Sequence, residues 1–404
     1  MKIATAYSVS PSTPIACEQV IEQLLQQSET LPQLIVCYYS ANHQYLQIAK
    51  NLQIAFNSSS IIGCSSCQGI MTASGFHSQS GYGLGLWALW DEVGNYGTAL
   101  ESFSDTSDES IVAATQKALI TALDNAQRPG ELPDLIWLHA SPGYEERMIE
   151  AIENLVGKQV PIAGGSAADQ KIQGHWSLFA QAAVATQGVA VAALFPGGEI
   201  GYSFHSGYVA NRALGVVTAS HGRTVYEIDH HPAADIYRKA IGLVATSHPR
   251  HISILKHSSF CPLGLLSGKV DQLPFFKLAH PSALTADGGI ELFSEIKVGD
   301  TLYLMKGSKE SLIHRGGRVT ELSLTEPFSC EQPIGALVIY CAGCMLAIQR
   351  DINEVVHSIR QSLGDELPFL GAFTFGEQGH FITGENGHGN LMSSAIVFYQ
   401  RMSQ

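Results

Sequence analysis

Short apolar runs, each followed by a stretch whose apolar residues recur at helical spacing, occur three times along this chain. Each helical stretch leads into a second apolar run, which ends in a turn rich in glycine and short polar residues. The pattern predicts a strand, a helix and a second strand in every copy. The paired apolar runs are residues 34–38 with 60–66, 135–139 with 161–166, and 336–340 with 369–377.

The strand cores within the three copies lie 27, 26 and 32 residues apart, in chain order. Three similar spacings with three similar endings indicate an internal repeat. A separation of this size fits a strand–helix–strand crossover, in which the two strands are parallel and the connection is right-handed. We therefore expect the two strands of each copy to be neighbours in one sheet.

Other segments alternate between apolar and polar residues and are punctuated by glycine, which is typical of antiparallel strands. They occupy residues 80–90 and 97–103 before the second repeat, and much of 176–228 after it. Residues 250–325 form a further β-rich block with many turn signals. The whole pattern predicts an α/β fold made of two α/β halves, built on repeated βαβ units with mixed sheets and extra antiparallel strands.

A chain of 404 residues is long enough for two domains. The boundary is predicted between a strand that ends near Ile228 and a helix that begins near Pro232, since proline suits the first turn of a helix. We assign residues 1–228 to an N-terminal domain and 229–404 to a C-terminal domain. No low-complexity linker joins them, so we expect the two halves to pack closely.

The composition is that of a globular protein, with 45% hydrophobic and 15% charged residues. The formal net charge is −13 and basic residues do not cluster, which argues against nucleic acid or an anionic membrane surface as a partner. No segment has the length and apolarity expected of a membrane span or a signal peptide. Eight cysteines in a chain of this length favour a reducing compartment, so we expect a cytoplasmic protein.

Each repeat ends at the carboxyl end of a predicted parallel strand, where ligands gather in open α/β sheets. Glycines at these ends would let a ligand approach the backbone, and short polar side chains would line a shared or duplicated pocket. The alternative is that the glycines only permit tight turns and the hydroxyls cap helices. The candidate ligand-binding residues at these ends are Ser65, Ser66, Gly165, Ser166, Thr374 and Glu377.

Two Cys-x-x-Cys pairs, Cys64 with Cys67 and Cys341 with Cys344, each follow an apolar strand. Four thiolates would make a tetrahedral zinc site if the two pairs met in space. Either pair could instead be redox-active, and small buried cysteines without any such role are also common. The sequence leaves these three interpretations open.

The sequence contains no common catalytic motif. It has no Gly-x-Ser-x-Gly elbow, no P-loop and no His-Glu-x-x-His segment. A cysteine-dependent enzyme would need Cys341 to pair with a histidine, and a zinc-dependent enzyme would need the two cysteine pairs to meet. We therefore expect a binding protein rather than an enzyme, and keep a cysteine- or zinc-dependent enzyme as the alternative.

Four short motifs stand near the ends of predicted strands. They are Gly63-Cys-Ser-Ser-Cys-Gln-Gly69, Cys341-Ala-Gly343, Thr374-Phe-Gly-Glu377 and His388-Gly-Asn390. In these motifs the chain, over roughly residues 30–395, resembles the FIST family of bacterial sensory proteins, which have an N-terminal and a C-terminal FIST region. Two positions depart from the family pattern: a glycine separates the terminal histidine from the asparagine, and Cys344 stands where arginine is expected.

The resemblance implies a ligand-sensing module in signal transduction, and it adds Cys341, His388 and Asn390 to the candidate ligand-binding residues. Some stand-alone members of the family resemble heme-binding sensors of nitric oxide that regulate histidine kinases or cyclic-di-GMP enzymes. We expect this chain to have the stand-alone layout. The resemblance therefore implies heme as the cofactor, and a histidine kinase of a two-component system, a diguanylate cyclase or a phosphodiesterase as the partner. A sensor of an amino acid or another small polar metabolite is the alternative.

Histidines decide the heme interpretation, because a neutral imidazole can ligate heme iron. Sixteen histidines stand beside only 23 lysines plus arginines. The candidate axial ligands are His139, at the end of a predicted parallel strand, and His380 and His388, which follow the Gly-Glu turn. Any one of them could instead be a surface or a core histidine. No Cys-x-x-Cys-His segment is present, so covalent attachment of heme is excluded.

Overall fold

The computed structural model describes residues 1–243, 251–270, 273–324 and 331–401. The helices in these ranges are α1 (Thr13–Leu25), α2 (Tyr45–Ala55), α3 (Asp108–Asn125), α4 (Glu145–Val156), α5 (Ala233–Ala240), α6 (Leu255–Ser258), α7 (Lys309–Ser323), α8 (Ala342–Ala347) and α9 (Ile352–Leu363). A short 3-10 turn, Gln349–Asp351, lies between α8 and α9.

The strands up to the end of the second repeat are β1 (Lys2–Ser8), β2 (Leu34–Ser40), β3 (Ser60–Ser66), β4 (Ile70–Thr72), β5 (Gly75–His77), β6 (Leu84–Trp90), β7 (Asn95–Ser102), β8 (Leu135–Ala140) and β9 (Ile162–Ser166). Those before α5 are β10 (Leu178–Ala180), β11 (Ala183–Ala185), β12 (Gly188–Phe195), β13 (Ile200–His205), β14 (Val209–His221), β15 (Thr224–Ile228) and β16 (His231–Pro232). The strands after α5 are β17 (Ile252–Ser253), β18 (Leu263–Val270), β19 (Leu273–Ala279), β20 (Pro281–Leu284), β21 (Ile290–Leu292), β22 (Thr301–Lys306), β23 (Glu331–Cys341), β24 (Phe369–Thr374), β25 (Glu377–His380), β26 (Asn386–Gly389) and β27 (Ser393–Arg401).

The two strands of every repeat are parallel neighbours, as the sequence predicts. β2 pairs with β3, β8 pairs with β9 and β23 pairs with β24, each in parallel register. The connections run through α2, through α4, and through α8 and α9. The strands that flank these pairs are antiparallel, so the predicted α/β fold with mixed sheets is confirmed.

Each repeat is the centre of a six-stranded sheet. The strand orders are β1-β6-β2-β3-β10-β11, β26-β25-β9-β8-β12-β7 and β13-β27-β23-β24-β4-β5. The β-rich middle block supplies most of a separate sheet, in the order β17-β20-β21-β15-β14-β22-β18-β19, with β16 beside β15.

The three repeat sheets surround a common apolar core. That core contains Val36 from β2, Trp137 from β8 and Leu337 from β23, and all three side chains are fully buried. Rings from separate sheets meet there, for example Trp87 and Phe398, whose centroids are 4.9 Å apart. Helices cover the other face of each repeat sheet and enclose three further cores. Strands that are buried on both faces explain the continuous apolar runs in the sequence.

Two short hairpins exchange strands between the repeats. The hairpin of β4 and β5, which follows the first repeat, pairs with β24 of the third. The hairpin of β25 and β26, which follows the third repeat, pairs with β9 of the second. The halves therefore share sheets, which is a closer association than packing alone. The domain boundary between residues 228 and 229 stays a prediction.

The helical stretch of the third repeat, whose apolar spacing predicts one helix over residues 345–363, is not a single helix. It is divided into α8, the 3-10 turn and α9, because the backbone at Ile348 (φ −122°, ψ 21°) and Asp351 (φ −116°, ψ 15°) is not helical. Ile348 is buried in the core of the third repeat. Helical periodicity alone does not reveal this break, since apolar residues stand at acceptable positions on both sides of it.

Candidate functional site

The hydroxyls at the end of the first repeat bind neighbouring strands. Ser65 Oγ accepts a hydrogen bond from the backbone N–H of Ser177 (3.0 Å). Ser66 Oγ donates to the carbonyl of Gly69 (2.6 Å) and accepts from the N–H of Phe373 in β24 (2.9 Å). Both serines are fully buried. Their polar atoms therefore connect β3 to other parts of the protein.

The end of the second repeat meets the Thr-Phe-Gly-Glu segment of the third. The N–H of Ser166 donates to the carbonyl of Gly376 (2.8 Å), and Ser166 Oγ donates to Glu145 Oε1 (2.6 Å). A Cβ placed on Gly165 would lie 2.4 Å from Cγ2 of Thr374, so only glycine allows this approach. These contacts join the second and third repeats at their strand ends.

Glu377 lies in this junction as a buried carboxyl group. Thr374 Oγ1 donates to Glu377 Oε1 (3.1 Å), and the N–H of Met392 donates to Oε2 (3.0 Å). Burial raises the pKa of Glu377 well above its usual value, although the Met392 N–H opposes the shift. Both carboxyl oxygens of Glu377 are therefore occupied by the internal network.

The structure thus brings the predicted strand-end residues together, but their polar groups bind one another or nearby backbone. The cavity described next has a different lining. Of the sequence-predicted ligand-binding residues, Cys341 and Asn390 line that cavity, whereas the other predicted residues do not.

A cavity of about 610 Å³ lies between the repeats and the β-rich middle block. Its volume is within the usual range of small-molecule sites, and its wall is mainly apolar with a few polar groups, as such sites are. Aromatic residues come from separate segments: Trp176, Phe260, Phe293 and Phe375. The remaining lining residues are Pro142, Gly143, Glu145, Ile172, Arg223, Leu255, Ser259, His280, Cys341, Gly343, Leu346, Ala347 and Asn390.

A second depression, of about 760 Å³, lies on another part of the protein. Although its volume is greater, most of its lining residues are polar, and Asp169 there already accepts from backbone N–H groups at 2.8–2.9 Å. The mainly apolar cavity is therefore the better candidate for a small-molecule site. The depression is lined by Ala41, Asn42, Gln68, Ser80, Gly81, Asp169, Gln170, Lys171, Gln173 and His175.

One side of the cavity carries a buried ion-pair cluster. Nη2 of Arg223, at the turn between β14 and β15, lies 2.7 Å from Glu145 Oε2 and 2.6 Å from Glu146 Oε2. Although burial by itself raises the pKa of Glu145, the charge of Arg223 lowers it to about 2. The backbone N–H of Glu295, in the middle block, also donates to Glu146 Oε1 (2.8 Å), so the cluster connects that block to the start of α4. Sequence reasoning missed it, because nothing local to Arg223 indicates its distant partners.

His388 lies beside this cluster. Three potential metal ligands come together here: Glu145, Glu146 and His388. Each offers one ligand atom, and the three atoms lie within 4.8 Å of one another, so this group could hold a metal ion. The guanidinium of Arg223, however, already bonds one oxygen of each carboxylate. Nδ1 of His388 lies 3.4 Å from Nε2 of Gln378, and Nε2 of His388 has no hydrogen-bond partner among the described residues.

Asn390 and His280 also line the cavity. The backbone N–H of His280 donates to Asn390 Oδ1 (3.4 Å), whereas Nδ2 of Asn390 has no hydrogen-bond partner among the described residues. A buried amide without a partner is costly, so a ligand acceptor there would be stabilised. Burial lowers the pKa of His280 to about 4, so its imidazole is neutral at pH 7.

The three histidines predicted as heme ligands are not part of the cavity wall. His139 accepts from Nε1 of Trp137 (3.2 Å) and faces the Gly165 carbonyl through Nδ1 (3.3 Å), which occupies both ring nitrogens. His380 bonds Asn386 through Nδ1 (2.8 Å). His388 lies beside the ion-pair cluster of Arg223, Glu145 and Glu146. His280 is the histidine that lines the cavity among the described residues.

The four cysteines of the two Cys-x-x-Cys pairs do not share one core. Cys64 faces the core shared by the three sheets, whereas Cys67, Cys341 and Cys344 belong to the core of the third repeat. Within the described ranges, no group of three potential metal ligands includes a cysteine. The four thiols therefore do not form the zinc site that the sequence allowed.

Lowering the pH from 6.5 to 5 is expected to destabilise the protein. His139 and His280 are buried and their pKa values are lowered to about 4, so the unfolded state binds more protons than the folded state in this range. Each should contribute a loss of about 2 kcal/mol over that interval. Urea unfolding at intervals of pH measures this. A free energy of unfolding that stays constant from pH 6.5 to 5 would contradict the assignment.

The fold and cavity define an α/β ligand-binding protein, and comparisons place it in a family. The FIST N domain matches residues 33–231 and the FIST C domain matches residues 233–380. The chain therefore belongs to the FIST family, whose domains are sensory domains of signal transduction that bind small ligands. No curated protein matches the sequence. Within the described ranges, no helix has the length and apolarity to cross a membrane.

Solved structures give only distant likenesses. Cyanuric acid hydrolase from A. caulinodans shares 8% identity and a TM-score of 0.36, with 100% of this chain and 99% of that chain covered. Another cyanuric acid hydrolase shares 9% identity and a TM-score of 0.38, with 99% of both chains covered. PurLQS from Thermotoga maritima shares 9% identity and a TM-score of 0.22, with 77% and 73% covered. Likenesses at this level carry no functional argument.

Proposed function

We propose that this chain is a sensor whose small ligand binds in the cavity between the repeats and the middle block. The observation that carries the proposal is the cavity itself: about 610 Å³, mainly apolar, with Asn390 and Arg223 in its wall. Membership of the FIST family supports a sensory role. The sensor passes its signal to a protein partner, namely a histidine kinase or an enzyme that makes or degrades cyclic-di-GMP.

The wall favours a ligand with an apolar or aromatic body and one hydrogen-bond acceptor. Phe260, Phe293 and Phe375 offer ring faces and edges to such a body. The unpaired Nδ2 of Asn390 suits a carbonyl or carboxylate oxygen. An aromatic or branched-chain amino acid meets this description, whereas a fully polar metabolite would leave most of the wall without contacts.

Ligand binding would be transmitted through contacts that span the cavity. The lining residues come from the repeats and from the middle block, and the Arg223 cluster joins the same two parts. A ligand that contacts both parts stabilises one relative arrangement over others. The role proposed here is binding without turnover. Arg223 holds the carboxylates of both Glu145 and Glu146, so neither is free to act as a general base.

Blocking the cavity should abolish binding of an apolar probe. Ala347 lies in an exposed position at the end of α8 and lines the cavity, so Ala347→Trp adds a bulky ring there without entering the core. We expect the dye anilinonaphthalene sulfonate (ANS) to bind the wild type, and Ala347→Trp to weaken binding by about tenfold or more, which corresponds to about 1.4 kcal/mol. Fluorescence titration measures the affinity.

The matched control is Ala182→Trp, which places the same ring at an exposed turn between β10 and β11. This variant should bind the dye as the wild type does. Equal dye affinity in Ala347→Trp and the wild type would show that the dye binds elsewhere and would remove the support for this cavity. A dye that fails to bind the wild type would have the same consequence.

Heme is a second candidate occupant, and His280 is the observation that favours it. This buried imidazole lines the apolar cavity and is neutral at pH 7, as an iron ligand must be. A backbone hydrogen bond links it to Leu255, the kind of contact that orients a ligating histidine. Bound heme would supply an iron that binds nitric oxide. The residues that would hold it are His280 and the aromatic wall.

Reconstitution with hemin tests this candidate. A histidine ligand gives a sharp Soret band that shifts when nitric oxide is added to the reduced protein. We expect His280→Ala to abolish the sharp band, whereas His139→Ala, His380→Ala and His388→Ala provide the comparison that separates the other candidates. Only the broad band of adsorbed hemin in the wild type would exclude heme and leave the organic ligand.

A further inference from the structure

Cys341 and Cys344 form a dithiol in the wall of the cavity. Cys341 is the last residue of β23 and immediately precedes α8, and Cys344 lies within the first turn of that helix. Cys341 lines the cavity, whereas Cys344 lies behind it and is fully buried. The side chains of the two residues interact directly. A reagent in the cavity can therefore reach one thiol, and the second thiol lies next to the first.

A buried cation lies against the inner thiol. Arg315 is 1% exposed, and no carboxylate of the described residues lies within salt-bridge distance of it. An isolated buried charge is costly and favours an anion beside it. The Cys344 side chain interacts with Arg315, and Tyr208 Oη lies 3.6 Å from its sulfur. The structure therefore gives this cation a thiol as its neighbour.

Protonation at the site follows from these contacts. Although burial by itself raises the pKa of Cys344, the interaction with Cys341 and the charge of Arg315 lower it to about 6. Burial raises the pKa of the nearby Glu377 well above its usual value, although the charge of Arg315 opposes the shift. Burial likewise raises the pKa of Cys341, so the buried cation favours a thiolate at Cys344 over one at Cys341.

We propose that Cys341 and Cys344 are a hydroperoxide-reactive pair that closes to a disulfide in the wall of the ligand cavity. The inference goes beyond the proposed sensing of a small ligand, because it assigns a covalent modification to the same wall. The oxidants in question are hydroperoxides, and hydrogen peroxide is the one used in the test. The pair is distinct from Cys64 and Cys67, since Cys64 faces another core.

The reaction balances with one peroxide for each disulfide. Cys341 transfers its proton to the Cys344 thiolate and then attacks one peroxide oxygen, which breaks the O–O bond. The leaving hydroxide takes the proton from Cys344 and becomes water, and Cys341 becomes a sulfenic acid. The Cys344 thiolate then attacks the sulfur of Cys341, the S–O bond breaks, and the second hydroxide takes a proton from solvent. Two thiols are oxidised and one peroxide is reduced to two waters.

Oxidation would alter the cavity as well as the thiols. The disulfide removes the negative charge beside Arg315 and draws Cys341 toward Cys344, away from its position in the wall. The wall is compact at this point, because a Cβ on Gly343 would lie 3.4 Å from His280 Cε1 and 3.5 Å from Cys341 Sγ. We therefore expect the affinities of the oxidised and the reduced protein for ANS to differ by about threefold or more. Local repacking of a binding site changes the binding free energy by a fraction of a kcal/mol or more.

Peptide mapping of the folded wild-type protein provides the test. After treatment with hydrogen peroxide and alkylation under denaturing conditions, we expect Cys341 and Cys344 in one disulfide-linked peptide that a thiol reductant reverses. Cys344→Ser should form no disulfide at this site, and a dimedone probe should detect only slow formation of sulfenic acid at Cys341, because the thiolate that takes the Cys341 proton is missing. Cys341→Ser should leave Cys344 unmodified, because the buried sulfur has no route to the oxidant.

The wild-type result decides the proposal even where a variant fails to fold. Peroxide that leaves both thiols free, or a disulfide that maps to Cys64 and Cys67 instead, would overturn it. The readout is a covalent bond and does not require that a ligand bind the cavity. If the disulfide forms normally but ANS does not bind, that result would contradict only the proposed sensing site and not the disulfide.

Discussion

Replacing Arg315 by methionine is expected to destabilise the protein by about 3–5 kcal/mol, because several buried groups would lose their partner together. The guanidinium donates to the carbonyls of Ser206 and Met392, and also to that of Leu391. It also lies over the ring of Tyr340, 4.8 Å from the centroid. Methionine fills similar space but donates no hydrogen bond. Urea unfolding followed by circular dichroism measures the loss.

The matched control is Arg318→Met, one turn further along α7 at an exposed position. It should change the free energy of unfolding by less than about 0.5 kcal/mol, as surface substitutions do. Similar losses in the two variants would show that helix propensity or net charge, and not the buried network, accounts for the effect.

Replacing Gly164 by alanine is expected to be at least as damaging, with a loss of more than about 3 kcal/mol or no folded protein. Gly164 lies in β9 with φ +146°, and a Cβ there would be 1.9 Å from the carbonyl oxygen of Leu138 in β8. No side-chain rearrangement relieves a contact with backbone. The parallel pair at the centre of the second sheet would have to separate. Soluble yield and thermal unfolding measure the effect.

Gly130→Ala separates this steric contact from backbone strain. Gly130 has φ +80°, and a Cβ added there would have no atom within 4 Å, so alanine meets only the conformational cost of roughly 1–2 kcal/mol. If Gly164→Ala were no worse than Gly130→Ala, the tight β8–β9 contact would not be the determinant of stability that the structure indicates.

The three repeats could be predicted because each is a local unit. The apolar runs of β2 and β3, for example, are close in sequence and pair directly, so hydrophobic periodicity and spacing suffice. The exchange of the β4–β5 and β25–β26 hairpins could not be predicted in this way. Alternation of apolar residues shows that a short segment is a strand, but it does not identify the edge against which the strand pairs.

The site was predictable only in part. Motif resemblance indicated Cys341 and Asn390, and both line the cavity. The rule that ligands gather at strand ends led to Ser66 and Ser166, but strand ends of different sheets abut one another here and bury those hydroxyls. Arg223 comes from the turn between β14 and β15 and His280 from the middle block, and their contact with the repeats depends on tertiary packing.

The histidine predictions show the same limit. The sequence placed His139 correctly at the end of a parallel strand, in β8. Its ring, however, lies in the interior, where Trp137 and the Gly165 carbonyl take both nitrogens. Whether an imidazole faces a ligand depends on its neighbours in the same strand and on those in the adjacent strand. Local sequence shows only the neighbours in the same strand.

The most direct test of the central claim is a crystal structure of the protein with bound ANS. We expect electron density for the dye between Phe293 and Phe375, with an acceptor oxygen near Nδ2 of Asn390. Density in the polar depression around Asp169, with the cavity of about 610 Å³ empty, would contradict the claim that this cavity is where a ligand binds.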